Sequence, residues 1–90
     1  MFICDCHCDT LTELYKKGTS LYANDQHFDI QRQIALGGGL QFCAIFVPTH
    51  EFRYYGGLRY TLQLLDKYLQ EVKKLHADGI DVLQVLTKED

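Results

Sequence analysis

One stretch limits the possible folds more than any other: Leu40 to Val47, LQFCAIFV, in which only Gln41 is polar. A strand with one wet face alternates apolar and polar residues. A nearly unbroken apolar run, rich in aromatic and branched side chains, is the pattern of a strand covered on both faces, as in a parallel sheet flanked by helices. Pro48 ends the run, because it cannot donate to a ladder. Gly37, Gly38 and Gly39 precede it. A phosphate-binding loop would continue into Lys and Ser or Thr. Leu40 and Gln41 follow instead, so the glycines read as a turn feeding the strand.

The flanking segments supply the rest of an alternating pattern. Residues 2–8 read as a first strand. Thr10 and Glu13 match a capping box for a helix over about residues 11–17, with Leu11, Leu14 and Tyr15 on one face and Gly18 as its stop. Residues 19–28 are polar and mixed and are expected to be a loop. Asp29 suits the N-cap of a second short helix carrying Ile30, Ile34 and Leu36. The longest predicted helix runs from Leu58 to Leu75. Its apolar stripe is Leu58, Leu62, Leu65, Leu69 and Val72, with Lys67, Gln70, Glu71 and Lys74 expected to face away. After the turn at Ala77-Asp78-Gly79, Ile80, Val82, Leu83, Val85 and Leu86 read as a third strand, and Thr87 with Asp90 as the cap of a further helix.

Strands alternating with helices make βα units and a parallel sheet, predicted to pair residues 2–8, 40–47 and 82–86 in that order. Three such strands leave two open edges. A closed (β/α)8 barrel takes about 250 residues, and this chain has 90. The expected fold class is therefore α/β: the N-terminal βα units of a TIM-type barrel, incomplete at Asp90.

Composition narrows the function classes. An apolar fraction of 47% and a charged fraction of 23% are those of a chain able to build a core. A net charge of -3 gives no basic stripe, which argues against nucleic acid as a partner. The sequence has no apolar run of membrane-spanning length. Charged residues interrupt the first ten positions where a secretory signal would be apolar, so the cytoplasm is the expected compartment. Cys4, Cys6, Cys8 and Cys43 are accordingly read as reduced thiols.

The chemistry concentrates in Ile3-Cys4-Asp5-Cys6-His7-Cys8-Asp9-Thr10. In a regular strand, period-two alternation puts Asp5, His7 and Asp9 on one face and the three thiols on the other. One face then offers an imidazole and carboxylates, which suit a divalent metal. The other offers small hydrophobes.

Asp5-Cys6-His7-Cys8-Asp9-Thr10 resembles the D-G-H-x-D-T opening of the membrane (renal) dipeptidase family of zinc peptidases. His27-Phe28-Asp29-Ile30 with Gln31-Arg32, the glycines, and Gln41-Phe42-Cys43-Ala44 are similar to that family's V-D-L-x-R-L…G-G…Q-F-F-A segment. Order and spacing agree. The resemblance spans essentially the whole chain, which corresponds to about the first quarter of a family member. It implies a (β/α)8 barrel with a binuclear zinc site that hydrolyses dipeptides by a metal-activated water. It assigns His7 and Asp9 as the ligands that the first strand gives to one zinc. The bridging glutamate and further histidines would come from strands beyond Asp90, so the 90-residue chain alone is expected to be inactive, and the complete protein is a candidate homodimer. Cys6 stands where the family has glycine.

Other residues have plainer readings. Asp5 is expected to support its neighbours, and Cys8 to pack on the opposite face. His27, His50 and His76 read as ordinary surface residues. His50-Glu51 is a weaker candidate for a substrate mouth, and Phe52-Arg53-Tyr54-Tyr55 for a loop over it. The competing class is a small non-enzymatic metal-binding module using Cys4, Cys6, Cys8 and His7. Zinc–thiolate sites favour paired CxxC knuckles, whereas CxCHC in a strand splays its groups to both faces.

Overall fold

The computed structural model describes residues 1–52 and 55–90. Their elements run β1 (Ile3–Cys8), α1 (Thr10–Lys17), α2 (Ile30–Ala35), β2 (Gly39–Cys43) and α3 (Gly57–Ala77). The chain is a small α/β unit in which β1 and β2 pair in parallel, as the alternation of strands and helices predicts.

Glycine sets how closely these strands approach. Gly39 lies opposite Ile3, and a Cβ there would collide with the Ile3 carbonyl oxygen and the Gln33 side chain. Gly37 turns with φ +106°, where a Cβ would lie 2.6 Å from the Met1 nitrogen. The glycines thus form a turn packed under the start of β1, in keeping with the reading of a turn that feeds a strand.

The ladder is regular through Cys4 opposite Leu40 and Asp5 opposite Gln41, then resumes with Cys8 opposite Cys43. β1 advances three residues while β2 advances two, so β1 carries a bulge at Cys6-His7. A bulge leaves a residue unpaired and re-aims its neighbours.

Helix ends follow local chemistry. Gly18, at φ 67°, closes α1 by donating its N–H to Leu14 at 2.8 Å. Asp29 caps α2: its Oδ1 accepts from the Arg32 N–H at 2.7 Å and its Oδ2 from the Asn24 N–H at 3.1 Å. Burial pushes the Asp29 carboxyl up. The two N–H donors and the Arg32 guanidinium outweigh it and hold the group below the usual aspartate range. The Thr10 cap is corrected. Asp9 occupies the N-cap position and Thr10 is the first helical residue, buried with a hydroxyl that has no hydrogen-bond partner among the described residues.

The core gathers Leu11, Leu14, Leu21 and Leu75, with Tyr22, Phe28, Cys43, Ile45, Ile80 and Val82 against it. Three further expectations are corrected here. Residues 40–47 are not a strand buried on both sides. β2 stops at Cys43, and Phe42 and Phe46 are more than half exposed while Cys43 and Ile45 pack inward. The helices cover one face of the run only.

Residues 80–86 form no strand. Burial still alternates, with Ile80, Val82 and Gln84 half-buried and Asp81, Leu83 and Val85 exposed. Cys43, Ile45, Val82 and Gln84 all line one cavity of about 830 Å³, and among the described residues no backbone hydrogen bond joins β2 to the segment. Beyond it, Asp90 Oδ2 accepts the Leu86 and Thr87 N–H groups at 2.8 and 3.0 Å, forming half of the predicted capping box without a helix.

The third correction concerns α3. Its buried face carries Tyr60, Leu64, Glu71 and Leu75, while Leu58, Leu62, Leu65 and Leu69 are exposed. A leucine stripe is buried only where another element covers it. α1 covers the Tyr60 side, where Tyr15 meets Tyr60 edge-on at 5.9 Å. Glu71, expected to face solvent, is 3% exposed.

Candidate metal centre

The C-terminal end of β1 carries the candidate ligands. His7 Nε2 lies 3.1 Å from Asp9 Oδ1, and both side chains are well exposed. The Asp9 position explains the contact. As the residue between β1 and α1, it could cap the helix with its carboxylate, yet it makes no such bond and turns to His7 instead. Asp5 Oδ1 accepts the His7 backbone N–H at 3.1 Å, so Asp5 supports the bulge and does not point at the imidazole.

The donor set is suited to zinc. Two ligands bound at about 2.1 Å to one tetrahedral ion have donor atoms about 3.4 Å apart. The observed Nε2–Oδ1 spacing of 3.1 Å is that of a hydrogen bond, and the two groups would have to part slightly and turn to a shared ion. Among the described residues, no group of three or more His, Cys, Asp or Glu side chains converges as a metal cage. His7 and Asp9 form a pair of donors, not a closed site.

The cysteines divide. Cys4 and Cys6 are exposed, Cys8 is buried and Cys43 is half-buried. Alternation predicts one apolar face for the three β1 thiols; only Cys8 is covered, because residues 3–7 of β1 are exposed on both faces. Cys8 Sγ lies 3.8 Å from Cys43 Sγ across the ladder. Contact with the Cys43 thiol pulls the Cys8 thiol down to about 6, against burial that raises it. The same contact, with burial, pushes Cys43 up.

The remaining histidines stand apart from this pair. His76 Nε2 lies 2.9 Å from the Val82 carbonyl oxygen, tying the end of α3 to the segment after it. His50 and Glu51 pair loosely at 3.7 Å in solvent after β2. The proposed cover over the site falls partly on Arg53 and Tyr54, which lie outside the described residues; Phe52 stacks at 4.8 Å on Tyr60. Sequence reasoning missed the Cys8–Cys43 pair. Its signal was a cysteine in each of two strands predicted to be neighbours.

Among the described residues, no helix is long and apolar enough to cross a membrane. Comparison with known protein families, with curated proteins and with solved structures gave no match.

Proposed function

We propose that this chain forms the opening βα units of a zinc-dependent dipeptidase with a (β/α)8 barrel, and that His7 and Asp9 are its first-strand ligands to one ion of a binuclear site. The observation that carries the reading is the His7 Nε2–Asp9 Oδ1 approach of 3.1 Å at the C-terminal end of a parallel strand, directly before a helix. Active sites of α/β barrels lie at that end of their strands. The D-C-H-C-D-T resemblance adds the substrate class, dipeptides.

Zinc, when bound, supplies Lewis acidity towards the scissile carbonyl and a water of lowered pKa. His7 would offer it an imidazole nitrogen and Asp9 a carboxylate oxygen. Asp5 holds the His7 backbone through its N–H, which fixes where the imidazole starts. The bulge frees His7 from the ladder so that it can turn towards Asp9. α1 begins immediately after Asp9, anchoring that residue by its packed Leu11 and Leu14.

The test is zinc titration of the chain followed by NMR of the His7 ring and the Asp9 backbone. The expected result is perturbation centred on these two residues, lost in His7→Ala and in Asp9→Ala, with unchanged alkylation rates at Cys4 and Cys6. Zinc protection of Cys4, Cys6 and Cys8, with binding retained in His7→Ala, would overturn the reading in favour of a thiol module.

A further inference from the structure

Cys8 and Cys43 meet in a way that no other pair of thiols in the chain does. They are direct register partners on adjacent parallel strands, and their sulfurs are 3.8 Å apart. The Ala44 N–H donates to the Cys8 carbonyl at 2.9 Å, which clamps the backbones beside the pair. Neighbouring strands lie about 4.8 Å apart, inside the Cα separation of roughly 4.4–6.8 Å that a disulfide spans. Cys4 faces Leu40 across the ladder, so it has no such partner. Cys43, itself half-buried, also lines a cavity of about 830 Å³, a route by which a small oxidant reaches the pair.

We propose that Cys8 and Cys43 form an oxidisable dithiol that a hydroperoxide converts into a disulfide joining the C-terminal end of β1 to β2. One sulfur of the pair attacks a peroxide oxygen. The O–O bond breaks, the sulfur becomes a sulfenic acid, and the distal oxygen leaves as water or an alcohol after taking the thiol proton. The second sulfur then attacks the sulfenic sulfur. The S–S bond forms, the S–O bond breaks, and the hydroxide departs as water with the second thiol proton. Two thiols are oxidised by two electrons and one peroxide is reduced by two. A dithiol reverses the change by exchange. The resulting cross-link sits between His7 and Asp9 in sequence, but its formation is independent of any metal at those residues.

The experiment uses the whole chain with a chelator present. The native protein is treated with stoichiometric hydrogen peroxide, then unfolded, alkylated, digested and read by mass spectrometry. A parallel sample carries Cys4→Ser and Cys6→Ser, two exposed positions. The expected product in both is a Cys8–Cys43 linked peptide pair, lacking two hydrogens, formed in a yield independent of protein concentration and reversed by dithiothreitol. The proposal is overturned if Cys8 and Cys43 are recovered unlinked, as alkylated thiols or sulfinic acids. Linkage of either to Cys4 or Cys6, or a yield that falls on dilution, overturns it equally.

Discussion

Glu71 Oε1 accepts the Leu21 backbone N–H at 2.6 Å across fifty positions of sequence, tying the long loop after α1 to the buried face of α3. Its other oxygen takes Lys74 at 3.1 Å and Lys67 at 3.8 Å. A carboxylate this buried is tolerated because each oxygen has a partner. Glu71→Ala leaves the Leu21 N–H unsatisfied and is expected to cost roughly 1–3 kcal/mol, read as a lower midpoint in urea unfolding.

Acid sensitivity follows from the same residue. Burial raises the Glu71 carboxyl, but the Leu21 N–H, Lys74 and Lys67 outweigh it and hold the group below its ordinary value of 4.5. Its folded pKa is depressed, so its contribution is full above about pH 4.5 and is lost as pH falls through the folded value. Asp29, also held down, acts in the same direction. Stability measured by urea unfolding between pH 7 and pH 3 should fall on the acid side, and Glu71→Gln should flatten that fall.

Leu14 is fully buried in the cluster with Leu11, Leu21 and Leu75. Leu14→Ala is expected to cost about 2–5 kcal/mol. At about 4–8 °C per kcal/mol for a domain of this size, thermal unfolding followed by circular dichroism should show a drop of at least about 8 °C.

Gly39 has no room for a side chain against the Ile3 carbonyl. Gly39→Ala should push β2 away from β1 and cost about 1–3 kcal/mol, with faster amide exchange along the ladder. Gly38→Ala makes a useful contrast. Its built Cβ meets nothing within 4 Å, and its cost comes only from a φ of +86°.

In the complete dipeptidase proposed above, His7→Ala or Asp9→Ala should remove most turnover and weaken one zinc by more than the 10- to 100-fold typical of losing an outer-shell partner. Cys8→Ala should keep its zinc and lose about 1 kcal/mol of stability. Turnover of a simple dipeptide together with zinc content per variant checks both statements. Zinc lost in Cys8→Ala and kept in His7→Ala would reverse the assignment.

Local signals were readable wherever one residue's chemistry decides the outcome. Asp29 caps α2, Gly18 stops α1, and the parallel pairing of β1 with β2 follows from the alternation of elements. What needed a neighbour was not readable. The leucine periodicity of α3 marks an apolar stripe correctly, but which stripe is buried depends on where α1 lies, and Tyr60 and Leu64 lie on that side. Residues 80–86 keep the alternation of a strand without a partner in hydrogen-bonding reach. At the candidate site, the nearness of His7 to Asp9 was legible from their spacing. The Cys8–Cys43 contact was signalled only by a cysteine in each of two neighbouring strands; that the two are register partners depends on one extra residue in β1 that no side-chain pattern announces.

That residue acts on the strand as a frameshift acts on a message. Were every residue kept but none bulged out, the ladder that sets Asp5 against Gln41 would bring His7 opposite Cys43 and Cys8 opposite Ala44. The imidazole would then face a thiol, and the inner sulfur would lose its counterpart. With it, nitrogen is sorted to oxygen outside and sulfur to sulfur inside. Deleting Cys6 would remove the extra residue itself: Cys8 would stay opposite Cys43 while His7 was drawn into the ladder opposite Phe42, so the sulfur pairing would survive and only the nitrogen–oxygen pairing would be disturbed.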